Sequence, residues 1–97
     1  MGVRHGRDYE QILTDLIQAV SRIPDSYTFF EMEADEWQQL DESAQQEVHE
    51  ALAEDVFYAL GTEPVLTIGS GVVMHDSTQH RIHFLIGEQE ISSISLI

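Results

Sequence analysis

Two histidines and an aspartate stand close together in the second half of the chain and could bind a metal ion. His75 and Asp76 precede a short turn, and His80 follows it. Imidazole nitrogens and carboxylate oxygens are competent ligands for zinc and other divalent metals. If the strands on either side of the turn pair with each other, His75 and His80 become cross-strand neighbours. The spacing therefore predicts a candidate metal site, with ordinary polar decoration of a hairpin tip as the alternative.

A second chemical feature is a run of acidic residues without any lysine or arginine. Residues 31–55 hold ten carboxylates. Along a helix that rises about 1.5 Å per residue, these charges recur about every 4 Å, close to the phosphate spacing of one DNA strand. Glu47, Glu50 and Glu54 form one stripe of this run. The pattern suggests a polyanion mimic that binds a basic protein, and an ordinary solvated helix face is the alternative.

Trp37 is the single tryptophan and lies within the acidic run. An exposed tryptophan among carboxylates is typical of an anchor in a protein–protein interface. Its helical spacing with Leu40 and Ala44 indicates core packing instead. Trp37 is therefore expected either on a protein-binding surface or in the core.

Motifs for catalysis and cofactor binding are incomplete. His49-Glu50 begins the H-E-x-x-H pattern of zinc proteases, but Ala53 replaces the second histidine. Gly69-Ser70-Gly71 begins a dinucleotide-binding loop, but Met74 stands in the place of the third glycine. The 18 acidic residues supply many carboxylate pairs and single out none. We expect a non-enzymatic protein without a cofactor.

Length, charge and composition restrict the class of protein further. The chain has 97 residues, 42% of them hydrophobic, which suffices for one core and not for two. Its formal charge of −14 excludes nonspecific binding to nucleic acid. It has no cysteine, and it lacks the run of about 18 apolar residues that a membrane span requires. These features predict a cytoplasmic protein that binds another protein, for which a basic partner is one candidate.

Hydrophobic periodicity predicts a first helix close to the start of the chain. Apolar residues recur at helical spacing from Tyr9 to Ile23, with Asp8 as the cap and Pro24 as the stop. Residues 1–7 show no periodicity and predict a flexible N-terminus.

A second helical pattern covers residues 35–60, which form either one helix or two helices broken near Asp41. A capping box at Ser43 is a candidate start for the second of these. Between the two helical patterns, residues 26–32 predict a short strand, with a helical turn as the alternative.

After Pro64 the period changes from helical to alternating and predicts an antiparallel meander. Strands are expected at residues 65–68, 72–75, 80–86 and about 90–96. The predicted fold class is α+β, with two main helices packed on a four- to five-stranded antiparallel meander sheet. Residues 8–97 are expected to form a single domain.

Turn lengths predict a register in which Ile68 lies opposite Val73, and Val73 opposite Ile82. The sheet then has an inner face made of Ile68, Val73, Ile82, Phe84 and Ile86. The last strand needs a three-residue loop or a bulge at Ser92-Ser93 to turn Ile94 and Leu96 inward.

The outer face of this sheet also carries apolar residues, namely Val72, Met74, Leu85 and Ile91. Two helices cover only one face fully, so the rest of the chain or a second copy must cover the other. The leading hypothesis is a small acidic domain that binds another protein or regulates it, with a homodimer formed through the outer sheet face or an edge strand as one candidate arrangement. The rival hypotheses are the polyanion mimic and the metal site at His75, Asp76 and His80. The predicted protein-binding residues are Trp37, Glu47, Glu50, Glu54, Val72, Met74 and Leu85.

Overall fold

The computed structural model describes residues 3–97, in which the helices precede the strands. The helical part contains α1 (Tyr9–Ser21), a 3-10 helix (Ser26–Phe30), α2 (Ala34–Gln39) and α3 (Glu42–Ala59). The strands are β1 (Val65–Ile68), β2 (Gly71–Asp76), β3 (Arg81–Ile86) and β4 (Gln89–Ser95). They form one antiparallel sheet in the order β1-β2-β3-β4. The predicted α+β fold is confirmed, with four strands and a third, short α-helix.

A single hydrophobic core lies between the helices and one face of the sheet. The fully buried side chains of the two long helices include Ile12, Leu16, Val20, Leu52 and Val56. Those of the sheet include Ile68, Val73, Ile82 and Phe84. Full burial of one such side chain contributes about 1.5–3 kcal/mol. This burial is the main force that holds the helices on the sheet.

α1 follows its sequence pattern closely. The Asp8 carboxylate accepts a hydrogen bond from the Glu10 amide at 3.4 Å and caps the first turn. The apolar stripe points into the core. The helix ends at Ser21, shortly before Pro24, because a proline disfavours the helical conformation in the residue before it.

Residues 3–7, for which the sequence predicts a flexible terminus, pack against the end of the sheet. Val3 is 3% exposed. The amides of Gly6 and Arg7 donate to the Leu96 carbonyl at 2.7 and 3.0 Å. Backbone groups make these bonds, and side-chain periodicity therefore gives no sign of them. The first two residues of the chain lie outside the described range.

The segment after Pro24 forms the 3-10 helix rather than the predicted strand. The Asp25 carbonyl accepts hydrogen bonds from the amide and the hydroxyl of Thr28, at 3.1 and 2.8 Å. Because these bonds satisfy the backbone locally, the segment needs no neighbouring strand. The alternative of a helical turn is the correct one. Glu31 ends the turn in the left-handed conformation, with φ at 60°.

The acidic segment is broken into α2 and α3 at Leu40 and Asp41, which is one of the two predicted arrangements. Leu40 is extended, with ψ at 140°. The Asp41 carboxylate accepts a hydrogen bond from the Ala44 amide at 2.8 Å, so Asp41 rather than Ser43 caps α3. The continuous line of charge expected for one long helix is therefore interrupted. None of the helices within residues 3–97 is long and apolar enough to cross a membrane.

The strand register differs from the prediction by two residues at each of the first two turns. Ile68 lies opposite Gly71, and Val73 lies opposite Phe84. The second turn ends at His80, which is left-handed with φ at 56°. A shift of two residues preserves side-chain alternation, so the predicted inner face is confirmed. Its members Ile68, Val73, Ile82 and Phe84 are buried, and Ile86 is half-buried.

The predicted irregularity in the last strand is a bulge, but it lies at Ile91 rather than at Ser92-Ser93. The pairing of β3 with β4 skips Ile91. The extra residue reverses the alternation, so Ile94 and Leu96 face inward and are 3% and 0% exposed. The bulge also packs Ile91 against the core, so its predicted place on the outer face is wrong.

A polar contact ties the helical half to the sheet outside the core. The Asp25 carboxylate accepts hydrogen bonds from the amide and the hydroxyl of Ser70, at 2.9 and 2.8 Å. The Ser70 amide is the main reason that the pKa of Asp25 lies below its usual value. Gly69 lies against this contact with φ at 56°, and a Cβ there would be 2.5 Å from two oxygens of Asp25.

We expect Gly69→Ala to destabilise the fold more than the matched substitution Gly87→Ala. Both glycines have positive φ, at 56° and 63°, so each alanine costs about 1–2 kcal/mol in the backbone. Only at position 69 does the new methyl group also collide with Asp25, because at position 87 no atom lies within 4 Å. Denaturant unfolding should give a loss for Gly69→Ala that is at least about 1 kcal/mol larger. Equal losses would contradict the close approach of Gly69 to Asp25.

Candidate functional site

The sheet face that points away from the helices, here called the open face, consists of three rows of cross-strand neighbours. The register gives the rows Val65-Met74-His83-Ser93, Thr67-Val72-Leu85-Glu90 and Asp76-Arg81-Ser95. Within residues 3–97 the helices pack on the other face, so the open face meets solvent. The open face includes the predicted binding residues Val72, Met74 and Leu85.

Four apolar side chains form a contiguous patch on the open face. Val65 and Met74 lie opposite each other and are 50% and 40% exposed. Val72 and Leu85 lie opposite each other in the next row and are half-buried. Contiguous exposed apolar residues on a small domain are typical of an interaction surface. These four residues are called the apolar patch below.

His83 lies between two carboxylates in the polar part of the open face. Its Nδ1 is 2.5 Å from Glu90 Oε1, and its Nε2 is 3.6 Å from Asp76 Oδ2. The Asp76 carboxylate also accepts the amides of Gln79 and Thr78, at 3.1 and 3.0 Å. These bonds, that of Gln79 foremost, lower the pKa of Asp76 and keep its carboxylate ionised. The imidazole is thus held in place from both sides.

A serine next to His83 raises the question of a serine–histidine–carboxylate site. Ser93 is the cross-strand neighbour of His83, and its hydroxyl oxygen accepts a hydrogen bond from Arg81 Nε at 2.8 Å. A serine nucleophile requires an imidazole nitrogen that is free to take its proton. Both ring nitrogens of His83 face carboxylates instead. The cluster is therefore better suited to keeping this part of the open face polar than to activating a serine nucleophile.

The three predicted metal ligands do not converge. His75 lies opposite Ile82 in an inner row, whereas Asp76 lies opposite Arg81 on the open face. Consecutive residues of a strand project to opposite faces, which separates the two side chains. His80 is exposed at the end of the turn, and its predicted cross-strand pairing with His75 is wrong. In the described part of the chain, no group of three or more histidine and acidic side chains could hold a metal ion.

Trp37 is half-buried in a small aromatic cluster outside the main core. Its ring stacks on Tyr27, with centroids 5.2 Å apart and 16° between the planes. The His49 ring lies 5.2 Å from it on α3, and the Gln45 side chain donates to the Trp37 carbonyl at 3.0 Å. No residue of α2 is itself buried. Trp37 therefore attaches α2 to the 3-10 helix and to α3.

Charge is divided unequally between the helical layer and the sheet. Fifteen of the 18 acidic residues and three of the four arginines precede Pro64. The predicted stripe of Glu47, Glu50 and Glu54 is exposed on α3. The remainder of the chain has three acidic residues and Arg81. The helical layer is thus strongly anionic, and the open face is close to neutral.

Two arginines cover backbone groups along the free edge of β4. Arg7 donates to the Ser95 carbonyl at 2.8 Å, and Arg22 donates to the Ile91 carbonyl at 3.1 Å. Strand edges invite pairing with another chain, and charged side chains over the edge oppose it. The two arginines thus oppose pairing of another strand with the β4 edge.

Two contacts described above, that of Asp25 with Ser70 and that of His83 with Glu90, involve residues that the sequence did not indicate as important. Asp25 and Ser70 are 45 residues apart, and no local pattern connects them. The place of Glu90 beside His83 depends on the bulge at Ile91. The sequence signal that could locate part of the site is the alternation of side chains between the two faces of a strand. Once the register is known, this alternation places Met74 and His83 on the same face.

We expect the fluorescence of Trp37 to report protonation of His49. Burial lowers the pKa of the His49 imidazole below its usual 6.5. The unfolded chain then binds this proton more tightly than the folded chain. The free energy of unfolding should therefore fall as the pH drops through 6.5 toward the folded pKa. Since a protonated imidazole quenches indole emission, Trp37 emission should fall with a midpoint below 6.5.

The control for this titration is the second histidine with a lowered pKa. Burial is also the largest cause of the lowered pKa of His75, which lies in the sheet away from Trp37. His49→Gln should abolish the fluorescence step, and His75→Gln should leave it unchanged. The account of the aromatic cluster fails if the step survives in His49→Gln.

No protein-family model, curated protein or solved structure matches this chain.

Proposed function

We propose that this chain is a non-enzymatic protein-binding domain that binds a second copy of itself through the open face. The observation that carries the proposal is the apolar patch, in which Val65 and Met74 are exposed beside Val72 and Leu85. Contact between two such patches removes apolar area from water on both copies. A two-fold symmetric contact uses the same patch twice and needs no second kind of surface.

The distribution of charge supports a second copy as the occupant. Stacked sheets lie about 10 Å apart, and each helical layer lies about 10 Å behind its own sheet. Two copies joined at their open faces therefore keep their anionic layers about 30 Å apart. The screening length at physiological ionic strength is about 8 Å. Most of the 18 acidic residues then add little repulsion to the contact.

The polar part of the open face also suits a symmetric contact. Arg81 lies in the same row as Asp76, and Glu90 lies beside His83. In a two-fold symmetric interface, a residue away from the axis meets a different residue of the partner copy, and the same contact occurs twice. The arginine of one copy can thus meet a carboxylate of the other, which sets orientation more than affinity.

The size of the open face indicates weak association. Four strands of about six residues cover about 400 Å² at ordinary strand spacing. A standard stable interface buries about 800 Å² on each partner. We therefore expect a dimer with a dissociation constant in the micromolar range, at the weak end of specific contacts.

The dimer should dissociate when Met74 is replaced by arginine. Met74→Arg places a charge in the apolar patch, although it reduces the negative charge of the whole chain and hence its general repulsion. Sedimentation equilibrium from about 10 μM to about 1 mM should show self-association of the natural chain and a monomer for Met74→Arg. Association of the natural chain should also strengthen with salt, because salt screens the residual repulsion.

The matched control is Tyr58→Arg. Tyr58 is 51% exposed on α3, so the same change of charge occurs on the helical layer. This variant should associate at least as strongly as the natural chain. A monomeric natural chain at every concentration, or equal loss in both variants, would contradict the proposal.

A further inference from the structure

β1 forms the second edge of the sheet, and its outer side has no neighbouring strand. The sheet order is β1-β2-β3-β4, so β1 pairs with β2 alone. The His75 amide donates to the Pro64 carbonyl at 2.8 Å, which fixes the phase of this pairing. Hydrogen-bonded and non-bonded pairs alternate along an antiparallel ladder. The N–H and C=O groups of Val65 and Thr67 therefore point away from β2, toward the free side of β1.

These backbone groups meet solvent, because Val65 and Thr67 are both exposed. The 3-10 helix contacts β1, but within residues 3–97 no backbone hydrogen bond from outside the sheet reaches either residue. The outer edge of β4 differs, because two arginine side chains donate to its carbonyls. Charged side chains over an edge oppose the addition of a strand. β1 itself carries no charged residue, and three of its four residues are β-branched.

Carboxylates lie at both ends of β1. Glu63 is exposed just before the strand begins. At the other end, the Asp25 carboxylate accepts the amide and the hydroxyl of Ser70, in the turn that follows β1. These bonds, that of the Ser70 amide foremost, lower the pKa of Asp25 and keep its carboxylate ionised. The free edge of β1 therefore has unpaired backbone groups in its middle and a negative charge at each end.

We propose that the free edge of β1 binds an extended basic segment of a different protein, which joins the sheet as an additional strand. In this mode of binding, backbone hydrogen bonds to Val65 and Thr67 supply the affinity. Side chains of the segment alternate between the two sheet faces. Apolar side chains on one side lie beside Val65 and extend the apolar patch. A lysine or arginine near each end of the segment meets Glu63 or Asp25.

Charge disfavours a second copy of this chain at the same edge. Two β1 strands related by a two-fold axis pair antiparallel and join the two sheets into one. The helical layers of both copies then lie side by side on the same face of that sheet. Each helical part brings 15 of the 18 acidic residues of its chain. These layers repel each other, whereas a basic segment of a different protein is attracted.

This inference does not depend on the proposed homodimer, because the edge of β1 and the open face are different surfaces. Two copies stacked at their open faces keep both β1 edges free. A strand added at either edge lies beside the dimer contact rather than within it. The edge therefore binds its segment whether or not the chain associates.

The test uses a synthetic peptide of about six residues, with a lysine at each end and alternating valine and threonine between them. The ¹⁵N-labelled chain is titrated with this peptide at physiological salt, up to about 1 mM. Amide shifts should concentrate on β1 and spare β4. Hydrogen exchange at the amides of Val65 and Thr67 should be fast in the free chain and slower with peptide bound.

Two N-methylated peptides of equal composition test the backbone contact directly. One carries methyl groups on the amides of its valines, and the other on the amides of its threonines. Alternate residues of a strand present their amides along the same edge. One methylated peptide should therefore lose at least about tenfold in affinity, and the other should bind within about threefold of the parent.

A matched pair of proline variants locates the contact on the chain. Thr67→Pro removes an N–H from the free side of β1, where the fold makes no use of it. Ser93→Pro makes the same change on β4, because the bond from the Leu96 amide to the His80 carbonyl turns the Ser93 amide outward. Thr67→Pro should weaken peptide binding at least about tenfold, and Ser93→Pro should change it less than about threefold.

Equal binding of the two methylated peptides, equal binding by the two proline variants or shifts confined to β4 would overturn the inference. The methylated peptides decide the question even if a proline variant does not fold. Slow exchange at Val65 and Thr67 without peptide, at concentrations where the chain associates, would assign the edge to a second copy and would also overturn it. None of these results bears on the sedimentation of Met74→Arg, so the two proposals fail separately.

Discussion

Burial of the inner sheet face beneath α1 and α3 is the interaction on which the rest of the structure depends. Ile82 and Phe84 of the sheet and Leu16 of α1 are completely buried in this contact. A chain of 97 residues supplies two long helices, and two helices cover one face of a four-stranded sheet. The open face is therefore a direct consequence of how the core is built. The apolar patch stays exposed because α1 and α3 both pack on the opposite face of the sheet.

The same arrangement explains how so acidic a chain keeps one face close to neutral. Self-repulsion disfavours a compact state that carries a charge of −14. Placing 15 of the 18 acidic residues in the helical half spreads them over the side of the molecule that faces away from the sheet. The open face carries basic and acidic side chains together, around Arg81 and His83.

Much of this fold could be predicted because side-chain periodicity follows directly from which face is buried. The stripe of α1 and the inner face of the sheet were predictable for that reason. The exact register was not, since it depends on turns in which Gly69 and His80 are left-handed. An even error in register leaves the faces unchanged, whereas the one-residue bulge at Ile91 alters which residues face the core.

The candidate site was predictable only in part, for a related physical reason. Met74 belongs to a repeating pattern, so its exposure on the open face could be expected. The position of His83 between two carboxylates depends on register, bulge and turn together. The aromatic stack of Trp37 on Tyr27 joins segments without a shared period. Contacts of this kind are set by three-dimensional packing, which local spacing does not encode.

In the proposed dimer, two copies meet at the open face. Isotope-filtered NOE spectra of an equal mixture of ¹³C-labelled and unlabelled chains measure contacts between copies alone. We predict intermolecular NOEs from the methyl groups of Val72, Met74 and Leu85, and none from the methyl groups of α1 and α3. Intermolecular NOEs confined to the helices, or none at concentrations where the chain associates, would contradict this account.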